Sequence, residues 1–197
     1  MNKESVLNDK RILAVDDEQD VLDVLNEEIM MAAPSSIVDT ARTYQEASTL
    51  LVTWTYDLAI LDIMGVRGLD LLRNAVERPY PIPVVMLTGR ALSPEVLKES
   101  ISRGARAYLP KKHLGAVVPF LEDVLTHEYG PVWRRILKEF EGFFHEGWGP
   151  YWRKPDEKFW KEFEEKIGAD GKERGRGLHL SFVHRSLPCV SGGKRCL

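Results

Sequence analysis

Four short apolar runs, far apart in the chain, each end on residues able to hold a cation or a phosphate. Ile12-Leu13-Ala14-Val15 leads to Asp16-Asp17, Leu58-Ala59-Ile60-Leu61 to Asp62, Val84-Val85-Met86-Leu87 to Thr88, and Ala107-Tyr108-Leu109-Pro110 to Lys111. Brought together, three carboxylates, a hydroxyl and an ammonium suit a divalent cation beside a phosphoryl group. Carboxylate oxygens are the hard ligands that magnesium prefers, while lysine and threonine neutralise or donate to phosphate oxygens. Crowded carboxylates repel one another and hold protons unless a divalent ion sits among them, so Mg2+ should bind before phosphate. A phosphoryl group brought to such a site would be handled mainly by positioning and electrostatics. Gly89 leaves space beside a phosphate, although a tight turn after a strand explains it equally well. Arg90, two residues after Thr88, is expected at the rim of such a site, where it could shield or orient an attacking water and so set how long a phosphoryl group lasts.

Such a site needs an architecture that gathers strand ends, and the order of elements supplies one. Strands near 11–15, 36–41, 57–62, 82–87 and 106–109 alternate with helical patterns. Between the first two, Val21, Leu22, Leu25 and Ile29 recur at spacings of three and four over Glu18 to Met31, a core-facing stripe. Further helices are expected over Thr43 to Val52, Leu69 to Glu77, Pro94 to Arg103 and Leu114 to His127, with Thr43 and Ser93 as caps and Pro94 in a first turn. Five strands alternating with five helices make an α/β fold, a doubly wound parallel sheet with right-handed crossovers. Ligands of such sheets sit at the carboxyl ends of the strands, where all four chemical endings fall.

At these residues the chain resembles the receiver domain of two-component response regulators. The ordered set is an acidic pair, an aspartate about 45 positions on, a threonine, and an aromatic followed three residues later by lysine. The resemblance covers roughly residues 8–127 and implies a flavodoxin-like, CheY-like fold. It also implies Mg2+ at Asp16, Asp17, Asp62 and the Met64 backbone carbonyl. Asp62 would accept a phosphoryl group from a sensor histidine kinase or phosphotransfer protein, Lys111 would be the phosphate counter-ion, Thr88 the hydroxyl that moves toward phosphate, and Tyr108 the aromatic rotamer that follows it. The face of the fourth helix, fifth strand and fifth helix would be the output surface. The chain departs from the family in its abbreviated Ile63-Met64-Gly65-Val66-Arg67-Gly68 loop, in a short stretch between Asp62 and Thr88, and in Lys112, where proline usually follows the lysine through a cis bond. Before a non-proline residue that isomer costs about 3 kcal/mol.

Every one of these residues also has an ordinary reading. Asp17 could cap the following helix, Thr88 end a strand, Tyr108 pack half-buried and Lys111 stand in solvent. Their joint occurrence in order favours the site. Two other functions are weighed: a receiver-fold adaptor that works without phosphorylation, and a phosphatase with an aspartyl intermediate. Met64 stands where the phosphatase would need a second acid, two residues after Asp62, so that enzyme class is disfavoured.

With 197 residues, 44% hydrophobic and 29% charged, the chain has one full globular domain plus an extension. No apolar run reaches the length of a membrane span and the polar start Met1-Asn2-Lys3-Glu4-Ser5 is unlike a secretion signal, so a cytoplasmic protein without membrane insertion is expected. Residues 1–127 carry 13 basic and 19 acidic side chains, and 128–197 carry 14 and 11. Cys189 and Cys196 have no partners at zinc spacing and read as free thiols. Trp54, at the end of the second helix, reads as packing.

Eleven of the 18 aromatic residues fall between Tyr129 and Phe163. Val132, Trp133, Ile136, Leu137, Phe140, Phe143 and Phe144 form one helical stripe after Pro131, Gly147-Trp148-Gly149-Pro150 breaks it, and Phe159, Phe163 and Ile167 mark a second helix. Residues 128–167 therefore read as an aromatic helical hairpin that packs on the receiver or binds a downstream protein partner. Its short helices and slight positive charge do not make a DNA-reading helix-turn-helix, and its arginines and aromatics form no RNA-stacking platform. The glycine-rich, basic residues 168–197 read as a flexible tail, with Leu180-Ser181-Phe182-Val183 a strand lacking a local partner.

Overall fold

The four apolar runs and the more polar segment Ile37–Ala41 become five parallel strands, and where apolar side chains point to both faces of a strand they demand cover on both sides. In a computed structural model, which describes residues 4–89 and 93–169, these are β1 (Arg11–Val15), β2 (Ile37–Ala41), β3 (Leu58–Asp62), β4 (Val84–Thr88) and β5 (Ala107–Pro110), in the order β2-β1-β3-β4-β5. β3 and β4 are buried throughout, whereas the edge strand β2 keeps Ile37 and Thr40 exposed. The fourth strand starts two residues later than the sequence pattern suggests, because Pro81 and Pro83 flank Ile82 and cannot donate to a ladder.

Five helices pack on the sheet: α1 (Gln19–Ala32), α2 (Tyr44–Thr53), α3 (Gly68–Val76), α4 (Pro94–Ser102) and α5 (Val117–Thr126). The stripe of α1 buries Leu22, Leu25 and Ile29. Thr43 and Ser93 cap α2 and α4 by accepting from Glu46 N–H and Val96 N–H. α5 begins later than expected, since Lys111–Ala116 forms a 3-10 helix with non-helical angles at His113. Trp54 remains exposed, with the Arg11 guanidinium 4.0 Å above its ring.

The extension differs from a hairpin. It forms three helices, α6 (Tyr129–Glu139), α7 (Glu141–Trp148) and α8 (Glu157–Ala169), with a 3-10 turn at Lys154–Asp156. The continuous stripe breaks at Phe140, whose φ of −98° and ψ of 13° end α6. No proline or glycine stands there, so tertiary packing sets the break: the Phe140 ring lies 4.9 Å from His113 and 6.4 Å from Phe120, centroid to centroid. Buried residues of receiver and extension join in one hydrophobic cluster. No helix among the described residues is long and apolar enough to cross a membrane. The tail from Asp170, with its strand reading and both cysteines, and Arg90 lie outside the described residues.

Candidate functional site

The chain runs from β1 outward to β2, then returns to place β3 on the other side of β1, so the topology reverses between β1 and β3. Asp16 and Asp62 leave those two strands side by side, since Val15 pairs with Leu61. Asp62 also pairs with Leu87, and Thr88 with Pro110, which brings Thr88 and Lys111 to the same end of the sheet. Backbone pairing thus assembles what the sequence keeps up to 95 positions apart.

Asp16 and Asp62 are buried and Asp17 is exposed at the rim, and oxygens of the three carboxylates lie within 4.8 Å of one another. Lys111 Nζ stands among them, 2.8 Å from Asp16 Oδ2, 3.2 Å from Asp62 Oδ1 and 2.7 Å from Glu18 Oε1. Asp62 Oδ2 accepts from the backbone N–H groups of Met64 at 3.0 Å and Gly65 at 2.9 Å. Asp16 Oδ1 accepts from Glu18 N–H at 3.0 Å. Capping of the first helix by Asp17 is not seen, and Asp16 bonds the N-terminal backbone instead.

Burial raises the Asp16 carboxyl above its ordinary range, although hydrogen bonds from Lys111 and Glu18 N–H oppose the shift and the Asp62 charge adds to it. Burial by itself would lower the Lys111 ammonium. Hydrogen bonds to Asp16 and Glu18, with the charges of Asp62 and Asp16, outweigh it and raise the pKa. Glu18 is held below its usual range by the Lys111 hydrogen bond and charge. The buried Asp16 Oδ2, despite its closeness to Lys111, has no hydrogen bond of proper geometry. A buried carboxylate oxygen without a hydrogen bond, beside two further carboxylates, fits a hard divalent cation.

Thr88 and Gly89 line the open cleft above Asp62. A Cβ at position 89 would lie 3.7 Å from Lys111 Cδ, an ordinary contact, so neither a steric demand of the cleft nor a left-handed turn requires this glycine. Tyr108 is fully buried behind Thr88, not half-buried. Burial pushes its phenol up to about 12, an effect that neighbouring Thr88 opposes.

Three contributors had escaped the sequence reading. Glu18, next to the acidic pair, shares Lys111. Gly65 is pressed against Asp17 and Gly68 against the Asp62 carbonyl, so that a Cβ at either position would overlap them. Their close spacing in the loop after β3 was the available signal. The Lys111–Lys112 bond is trans, there being no cis peptide among the described residues.

The response regulator receiver domain family model matches residues 12–116, more than half of the chain. The chain belongs to the response regulator receiver family. Its receiver domain gives it the part of a response regulator in two-component signalling, and the family is one of phosphoacceptors. Among solved structures, a candidate response regulator from Chloroflexus aurantiacus is 23% identical with a TM-score of 0.53, over 60% of this chain and 98% of its own. A response regulator from Thermotoga maritima is 21% identical, TM-score 0.53, over 60% and 98%. The phosphorylated cyanobacterial phytochrome response regulator RcpA is 22% identical, TM-score 0.52, over 58% and 91%. These likenesses support the receiver fold. No curated protein matches the chain.

Proposed function

We propose that Asp62 accepts a phosphoryl group from the phosphohistidine of a sensor histidine kinase or phosphotransfer protein, and that the chain relays this state through protein contacts in the cytoplasm. The observation that carries the reading is the half-buried ammonium of Lys111 held between the buried carboxylates of Asp16 and Asp62 in an open cleft. Asp16, Asp17, Asp62 and the Met64 carbonyl would hold Mg2+, which when bound neutralises charge on the carboxylates and the incoming phosphoryl oxygens. An Asp62 oxygen forms the new bond to phosphorus as the phosphorus–nitrogen bond breaks, and the departing imidazole keeps the electron pair and takes up a proton from water. The N–H groups of Met64 and Gly65 orient the Asp62 carboxylate for this attack. Lys111 offsets charge on the transferred group and Thr88 donates to one of its oxygens. Residues 8–127 are the receiver unit in this reading, and 128–167 shape its output.

Magnesium-dependent phosphoryl incorporation from a small acyl phosphate, followed on a phosphate-retarding gel, tests it. A retarded band that requires magnesium and is lost in Asp62→Asn is expected. A wild-type chain unshifted by every donor would overturn the reading in favour of a phosphorylation-independent adaptor.

A further inference from the structure

The three helices of the extension cover the face made by α4, β5 and α5, and each of those elements contributes a separate contact. On α4, Lys98 pairs with Asp156 at 2.6 Å. Just before β5, the Ala105 carbonyl accepts from Trp133 Nε1 at 3.3 Å, and within β5 Tyr108 packs 6.2 Å from the Phe144 ring. On α5, Asp123 pairs with Arg135 at 2.5 Å.

Phe144 is itself fully buried, stacked 5.0 Å from Trp148 and tilted 5.4 Å from Trp152. A ring wedged in this way cannot yield gradually, because packed aromatic clusters have few alternative arrangements. Tyr108 is itself without exposed surface, with the Phe144 ring among its neighbours. Another neighbour of Tyr108, Thr88, lines the cleft above Asp62.

We infer that Phe144, on α7, is a positioning residue for the phosphoacceptor site: the docked extension locks Tyr108 inward and thereby presets Thr88 toward a phosphoryl group on Asp62. The inference rests on the reading of Asp62 as phosphoacceptor. Coupling of this kind is reciprocal, so phosphorylation should tighten the docking of α6, α7 and α8 and not release them.

The test uses the full chain with magnesium and beryllofluoride, a phosphoryl mimic, in two measurements. Amide hydrogen exchange of residues 129–169 is followed with and without the mimic, and its affinity is measured by calorimetry in the wild type, Phe144→Ala, Asp156→Lys and the charge-swapped Lys98→Asp/Asp156→Lys pair. Slower exchange in the extension is expected on binding, with affinity at least about fivefold weaker in each single variant and restored in the swap, a coupling of ordinary allosteric size. Asp156→Lys loosens docking at the surface without opening the core, so the test survives if Phe144→Ala folds poorly. Unchanged or faster exchange in a chain that does bind, or single variants that bind as the wild type does, would overturn this inference alone. A wild type that takes up no beryllofluoride would overturn the phosphoacceptor reading, and this one with it.

Discussion

At the residue scale the cleft is shaped by what its neighbours leave out. Gly65 touches the Asp17 carboxylate so closely that any side chain there must push Asp17 from the rim. Gly65→Ala is therefore expected to weaken magnesium binding about tenfold or more, the usual cost of disturbing the groups that orient a ligand. Because the position is exposed, the melting temperature should hardly change. Magnesium titration by calorimetry beside thermal unfolding separates the two effects, and an unchanged affinity would refute it. Two buried phenols give the molecule an alkaline limit. Burial pushes Tyr108 up to about 12, and burial together with the Asp39 hydrogen bond and charge pushes Tyr56 up to about 12. Below pH 10 the folded and unfolded chains both keep these protons, and stability from this source is complete. Between about 10 and 12 the unfolded chain gives them up first and binds fewer protons, so stability must fall as pH rises, by roughly 1 kcal/mol per pH unit for each tyrosine. Urea midpoints measured from pH 9 to 12 should show that slope, and Tyr108→Phe should flatten about half of it.

At the element scale, local chemistry places helix starts that packing then confirms. Thr43 accepts from Glu46 N–H at 3.2 Å while the Glu46 carboxylate accepts from Arg42 N–H at 2.8 Å, so two otherwise unpaired donors at the start of α2 are satisfied. Thr43→Ala should cost about 1 kcal/mol in denaturant unfolding, and a loss below a few tenths would mean that the Glu46 contact alone holds the turn. The same locality explains which elements the sequence made legible. Four of the five strands announced themselves as apolar runs leading to charge or hydroxyl, and α1 by its Leu22, Leu25 and Ile29 stripe. The break at Phe140 was invisible, since the residue is an ordinary helix occupant and only its seat against His113 and Phe120 ends α6 there. That Asp16, Asp17, Asp62, Thr88 and Lys111 would come together was legible because each stands at a strand end. Glu18 was not, because its role depends on the reach of a lysine 93 residues away.

At the scale of the whole molecule, the aromatic content of residues 129–163 was plain in the sequence, but the surface it covers was not, since docking depends on the shape of a distant face. Trp133 ties the extension to the receiver: it is fully buried, donates to the Ala105 carbonyl and packs edge-on 5.6 Å from Phe163. Four of the five tryptophans lie in the extension and helical signal comes from the entire chain, so two probes report different parts of one molecule. If the buried cluster is shared, tryptophan fluorescence and far-ultraviolet circular dichroism should unfold at a single denaturant midpoint, as a two-state transition requires. Trp133→Ala should shift both curves together by about 3–5 kcal/mol, the cost of emptying a large aromatic site and stranding the Ala105 carbonyl. A fluorescence transition that precedes the dichroism transition in the wild type would show instead that the helices peel from α4, β5 and α5 while the sheet stays folded. Tyr108 would then regain the freedom to swing outward, and the lock that Phe144 places on it could act only under conditions where the extension remains bound.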